Sequence, residues 1–305
     1  MDLKFAAIDA GSNGVRLLLA RVMEDGPRPD YKKETLVRMP IRLGEDVFSG
    51  RPIAPATIGI LIDTMRGFRH LIGAYQALRH VACATSAMRE ATNGTEVTRI
   101  IRDATGIDLQ IIEGIREAEL IALNAPNGSN PIARAQLHID IGGGSTELTL
   151  LIAGERVDQR SFPIGTLRTL KERVAPDTWR AMKSWLRGIA ARQNQLIAVG
   201  TGGNINKLFR LSRTKEDKPV TFKQLKSIHE MLKSYSLADR IHTLHMRPDR
   251  ADVIVPAAEI TLSVMKWARI SKMLVPQVGL ADGLIRLLYR EYREENPATA
   301  ASRTV

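Results

Sequence analysis

The chain reads as an α/β protein built from two similar halves that face each other across a cleft. Three observations carry that reading. Phe5-Ala6-Ala7-Ile8-Asp9-Ala10-Gly11-Ser12-Asn13-Gly14 is an apolar, strand-length run that ends in an acid, a glycine turn and small polar donors. His138-Ile139-Asp140-Ile141-Gly142-Gly143-Gly144-Ser145-Thr146-Glu147 repeats that plan with three consecutive glycines and a second acid. Each unit is followed by more strand-like sequence, so the order strand, strand, strand, helix, strand, helix occurs twice.

The elements follow in order. Residues 4–22 are expected to form two strands around the Asp9 turn, because Val15, Leu17 and Leu19 alternate as a hairpin partner would. A third strand is expected over 34–43, running into Arg42-Leu43-Gly44-Glu45. Past Pro52 and Pro55, residues 56–77 space Ile58, Leu61, Ile62, Met65, Phe68, Leu71 and Ile72 with helical periodicity. His80–Ala84 reads as a buried strand, 86–105 as helix with a break near Asn93-Gly94, Leu109–Ile112 as strand and Glu113–Ala125 as helix. The turn cluster Pro126-Asn127-Gly128-Ser129-Asn130-Pro131 closes the first half. In the second half, Gln136–Ile141, Glu147–Ile152 and Arg156–Phe162 read as strands and 176–194 as helix. Gln195–Val199 reads as a strand that ends in Gly200-Thr201-Gly202-Gly203. Helices are expected to dominate from Asn204 to Leu288, with a frayed tail after Glu295.

Composition narrows the function. A chain of 305 residues is long for one core and suits two domains. No apolar stretch reaches membrane-spanning length and no signal peptide precedes the first strand, so the expected compartment is the cytoplasm, with no membrane partner. The single cysteine, Cys83, sits in an apolar run, which excludes a disulfide framework and a thiolate metal cage. The net charge of +11 favours polyanions. Aromatics are only 5% of the chain and no DNA-binding motif spacing occurs, which argues against nucleic acid as the partner.

The two loops suggest chemistry. Consecutive glycines can present backbone N–H groups to a phosphate, hydroxyls add donors, and nearby acids can hold a divalent cation. Asp140 and Glu147 offer hard oxygen ligands of the kind Mg2+ takes, with Asp9 as an assisting acid; an Asp at a turn can equally cap it. Ser12, Asn13, Ser145 and Thr201 are candidate side-chain donors, and Gly142, Gly143, Gly144, Gly202 and Gly203 candidate backbone donors. The six histidines show no H-x-x-x-H metal spacing. There is also no Ser-His-Asp elbow and no Walker-type loop, which favours direct attack by water over a covalent intermediate.

Five motifs in order, Asp9–Asn13, Ala84–Arg89, Asp140–Glu147, Pro163-Ile164-Gly165 and Gly200–Gly203, resemble the exopolyphosphatase / guanosine pentaphosphate phosphohydrolase family of the actin-like ATPase superfamily. The resemblance runs from about residue 4 to 288 and matches the short, two-domain form. It implies two actin-like (ribonuclease H-like) domains: residues 1–116 with 283–305 as the first, and 117–282 as the second. It further implies Mg2+ or Mn2+ as cofactor, a homodimer, and a substrate that is polyphosphate or guanosine pentaphosphate, the latter linking the protein to the stringent response.

The resemblance also assigns roles. Glu117 matches the general base that activates water, although Arg116 replaces the acid that commonly precedes it and Glu113 stands where a small residue is usual. Arg89 matches a phosphate-facing position. Arg16 and Arg250 match positions that contact the nucleotide, and they would serve a phosphate chain equally well. Arg42 lies in another recurring segment. Two more departures are Gly14, where a Ser is usual after the Asn, and Ala281-Asp282-Gly283 in place of Arg-Glu-Gly. The expected activity is release of a terminal phosphate from polyphosphate or of the 5′ γ-phosphate from guanosine pentaphosphate. Two other readings stand beside it: an actin-like small-molecule kinase, and a weakly catalytic protein that binds polyphosphate or alarmone.

Overall fold

The first apolar run becomes β1 (Leu3–Gly11) in a computed structural model that describes residues 2–26, 28–124, 134–216 and 218–297. The chain turns through Ser12-Asn13 into β2 (Gly14–Met23), which sets Asp9 opposite Arg16. β3 (Asp30–Met39) forms the edge, with Lys32 and Lys33 exposed; such charge discourages pairing with another chain. Then come α1 (Leu43–Val47), α2 (Pro55–Tyr75), β4 (Arg79–Ala84), α3 (Ser86–Glu90), α4 (Gly94–Thr105), β5 (Leu109–Ile111) and α5 (Gly114–Ala122). The sheet order is β3-β2-β1-β4-β5, with β4 parallel to β1 and β5 parallel to β4.

The second half opens with β6 (Ala135–Ile141), β7 (Thr146–Ile152) and β8 (Glu155–Phe162). It continues through α6 (Thr166–Leu170), α7 (Pro176–Arg192), β9 (Leu196–Thr201) and α8 (Gly203–Leu211). The remaining elements are β10 (Val220–Thr221), α9 (Phe222–Ser234), α10 (Leu237–His242), α11 (Pro248–Ala251), α12 (Ile254–Trp267), β11 (Lys272–Leu274) and α13 (Leu280–Glu295). Its sheet runs β8-β7-β6-β9-β11-β10, so the first five strands repeat the topology of the first sheet.

Helices cover both faces of β1. Leu3, Phe5 and Ala7 pack with Leu280, Leu284, Ile285 and Leu288 of α13. Ala6, Ile8 and Ala10 point the other way, toward Leu61 and Met65 of α2 and Val97 and Ile101 of α4. Successive side chains of a strand alternate between faces, so a strand buried on both reads as one continuous apolar run. Cys83 of β4 lies in the α13-side core; burial pushes its thiol up to about 12, and it behaves as a small apolar side chain.

Two expectations change. The third strand lies at 30–39 rather than 34–43, because Pro40 carries no N–H for the ladder and Leu43 starts α1. The helical stretch expected from Asn204 to Leu288 is broken by β10 and β11. A three-residue strand, Lys-Met-Leu, is too short to show alternation, and its place is decided by pairing with β9, Met273 opposite Ala198. The Pro126–Pro131 cluster, Ala125 and residues 298–305 lie outside the described residues. Among the described residues no helix is long and apolar enough to cross a membrane.

Candidate active site

Strand register builds an acidic centre. Asp140 and Glu147 stand opposite each other across β6 and β7, and Glu117 reaches them from the first turn of α5, a helix that packs on α13 and on β7 and β8. One carboxylate oxygen from each of the three lies within 4.8 Å of the others. Thr201, opposite Asp140 in the parallel β6–β9 pairing, donates its hydroxyl to Asp140 Oδ1 at 2.6 Å. Ser161 Oγ donates to Glu147 Oε1 at 2.9 Å. The second oxygens, Glu117 Oε2 and Glu147 Oε2, are buried and have no partner.

Burial and mutual repulsion set the electrostatics. Glu117, only 7% exposed, has its carboxyl pushed well above the usual range, first by burial and then by Glu147, Asp140 and Asp9. Burial, helped by Asp140, raises Glu147 to about 7. Asp140 is raised by burial, with the Thr201 hydrogen bond opposing. Three carboxylates, Glu117 and Glu147 buried and Asp140 half-buried, with two orphaned oxygens between them, fit a hard divalent cation such as Mg2+. Asp9 is not one of the three: its carboxylate accepts from Arg16 Nη1 at 2.8 Å, so Arg16 stands where the second hairpin has Glu147.

The glycine loop is held from behind. Gly142 O accepts from Thr166 N at 3.0 Å, Gly143 O from Leu167 N at 2.8 Å and Gly144 O from Arg168 Nε at 2.9 Å. A planar trans peptide points its N–H opposite to its carbonyl, so the N–H groups of Gly143 and Ser145 are directed away from α6, toward the cleft these residues line. Gly165 makes this packing feasible: a Cβ there would meet the backbone of Gly143 and Gly144 at 2.4 Å. Gly165→Ala is therefore expected to shift the loop and to destabilise the fold by about 1–3 kcal/mol, the usual overpacking range, read by thermal melting with a parallel loss of anion binding. Across the cleft Gly202 precedes α8 as its N-cap with a φ of 89°, a left-handed conformation suited to glycine.

The cleft has a cavity volume of about 230 Å3 and runs between the two hairpin loops. Every expected site residue lines it except Arg89, Gly144, Glu147 and Thr201. Glu147 and Thr201 flank Asp140 as described. Gly144 packs on Phe48 and Ser86. Arg89 donates to the Ile112 carbonyl at 2.6 Å and approaches Glu113 at 3.9 Å, while its charge lowers the carboxyls of Glu117 and Glu147. Ser12 Oγ bonds Ser86 Oγ at 2.9 Å, and Asn13 Nδ2 donates to the Asp249 carbonyl at 2.8 Å. Arg250 donates to the Gly203 carbonyl at 2.7 Å, and burial together with Arg38 and Arg16 lowers its guanidinium to about 10. Arg42 pairs with Asp252 at 2.6 Å, away from the cleft.

A family model described as the Ppx/GppA phosphatase family matches residues 37–291. The chain belongs to that family. Ppx/GppA relatives extend over nearly its full length. Exopolyphosphatase 1 of Mycobacterium leprae is 25% identical over 99% of this chain and 93% of its own. Exopolyphosphatase 2 of Mycobacterium tuberculosis is 28% identical over 92% of this chain and 97% of its own. The solved Ppx/GppA family member of Aquifex aeolicus superposes with a TM-score of 0.76 at 22% identity, covering 96% of this chain and 99% of that one. An exopolyphosphatase from Cytophaga hutchinsonii gives 0.81 at 22% identity, covering 94% and 98%. The two-domain, actin-like Ppx/GppA fold expected from the motifs is thus the fold of this chain.

Sequence reading missed Arg38, Asp249 and Arg168. Arg38 lines the cleft and donates to the Asp249 carboxylate. Arg168 supports the glycine loop and holds Glu90 at 2.6 Å. In the sequence each is one charge among 44 basic and 33 acidic residues, with no motif to mark it.

Proposed function

We propose that this chain is a phosphoanhydride hydrolase that releases the terminal phosphate of inorganic polyphosphate, with the 5′ γ-phosphate of guanosine pentaphosphate as the alternative bond of the same type. One observation carries the reading. Glu117 lies buried beside the cleft, its Oε2 without a partner, next to two carboxylates that can hold a divalent cation. The names of the mycobacterial relatives support the choice of polyphosphate.

In this mechanism the N–H groups of the 142–145 loop, with Ser12 and Gly203 opposite, bind the terminal phosphate. Glu117 accepts the proton of an aligned water at Oε2, and its raised carboxyl suits a base working near neutral pH. Asp140 and Glu147 would hold Mg2+ or Mn2+, which when bound offsets the charge on the phosphate oxygens. Asp9 keeps Arg16 in place beside the cleft. The division into 1–116 with 283–305 and 117–282 belongs to the same reading, supported by the packing of α13 on β1. So do a homodimeric state and a cytoplasmic setting.

The test is phosphate release from short polyphosphate, long polyphosphate, guanosine pentaphosphate and ATP, each with and without Mg2+. Release from polyphosphate only with the cation is the expected result. ATP consumption only in the presence of an added acceptor would establish the kinase instead. Tight binding of polyphosphate without release would establish a binding protein.

A further inference from the structure

We propose that Arg38, seated in space that Gly14 leaves open, is a specificity-determining residue that binds the phosphate chain beyond the bond being cleaved. The proposal rests on the phosphoanhydride reading of the cleft.

The Arg38 side chain is 9% exposed and lines the cleft. Its Nη2 serves the Asp249 carboxylate and, at 2.8 Å, the Asn13 carbonyl. Its Nη1 and Nε are buried without a partner. A guanidinium carries five donors, and leaving charged donors dry and unpaired is costly. An anion in the cleft supplies the missing acceptors, and phosphate oxygens match the guanidinium fork.

Position 14 governs whether Arg38 can sit there. A Cβ on Gly14 would lie 2.8 Å from Arg38 Nη2 and 3.0 Å from Cζ. The clash is with the far end of a flexible side chain, so a larger residue at 14 displaces the guanidinium rather than the backbone.

The neighbours place the subsite. A Cβ on Gly202 would lie 3.0 Å from Asp140 Oδ1, and one on Gly203 would lie 2.9 Å from Arg250 Nη2 and 3.8 Å from Arg16 Nη2. One residue step therefore separates the carboxylate centre from two guanidiniums. Arg38 is close enough to both Arg16 and Arg250 to be repelled by one and to lower the other. A phosphate chain whose end lies at the carboxylates meets these three cations with its next phosphates. No aromatic side chain lines the cleft among the described residues, so an inorganic chain fits better here than a stacked base.

The experiment compares the parent chain with Arg38→Met, Arg38→Lys, Gly14→Ser and Asp249→Asn, with tripolyphosphate and guanosine pentaphosphate as separate substrates and melting curves as a check on folding. Arg38→Met and Gly14→Ser should raise KM for tripolyphosphate by about tenfold or more, with kcat within about threefold, as loss of a charge-assisted contact made before and during reaction requires. Arg38→Lys should fall between. Asp249→Asn, which breaks the ion pair but keeps the Arg38 charge, should raise KM less than Arg38→Met. Parental KM in both Arg38→Met and Gly14→Ser would overturn the proposal. So would an Asp249→Asn variant as impaired as Arg38→Met, since Arg38 would then act only as a clasp between β3 and α11. A rise confined to guanosine pentaphosphate would overturn the inorganic-chain assignment. Calorimetric binding of tripolyphosphate to the same variants decides the point even if the parent chain releases no phosphate. In that event the hydrolase reading fails, while weaker binding by Arg38→Met still locates the subsite.

Discussion

Glu117→Gln is expected to release phosphate from polyphosphate at least about a hundredfold more slowly than the parent chain, the scale on which a positioned general base contributes. Gln keeps the length and planarity of the side chain and cannot take a proton from water. The carboxyl it replaces is buried among Glu147, Asp140 and Asp9, all of which oppose its charge. Removing that charge relieves repulsion, so the melting temperature in the absence of a divalent cation should hold or rise. Activity and stability then move in opposite directions, which separates a lost base from a damaged fold. Near-parental turnover in the Gln variant would remove Glu117 from the mechanism.

The second large effect concerns the cation. Mg2+ added to the parent chain should raise its melting temperature, because a ligand bound only by the folded state stabilises it by about 2.7 kcal/mol at a hundred times its Kd. Asp140→Asn and Glu147→Gln should abolish that Mg2+-dependent shift and the phosphate release together. Without Mg2+ the Glu147→Gln protein should melt no lower than the parent, since one of three mutually repelling carboxylates has gone. Thermal melting with and without Mg2+ reads this directly, independently of turnover. A full Mg2+ shift in both variants would place the cation elsewhere. Asp9→Asn is the useful contrast. Its carboxylate is paired with Arg16, so the Mg2+ shift should largely survive.

The chain alone determines whatever is encoded locally. Alternation, glycine turns and proline breaks sit within a few residues of one another, so the Asp9 and Asp140 hairpins and the strand at Leu109 are legible in the sequence itself. The ordered set of motifs, and through it the family, is legible because each motif is a short run of neighbouring residues. Partnership between distant side chains is not local. Asp9 and Asp140 look alike in sequence, yet strand register puts Arg16 opposite one and Glu147 opposite the other, so one hairpin end is neutralised and the other gathers negative charge. β11 exists because Met273 and Leu274 find a place beside β9, a pairing that three residues cannot announce. Arg38 reads as one more basic residue on an edge strand. Only folding brings it against Gly14, 24 positions earlier in the chain, and Asp249, 211 positions later, and turns a surface-type charge into a buried one facing the cleft.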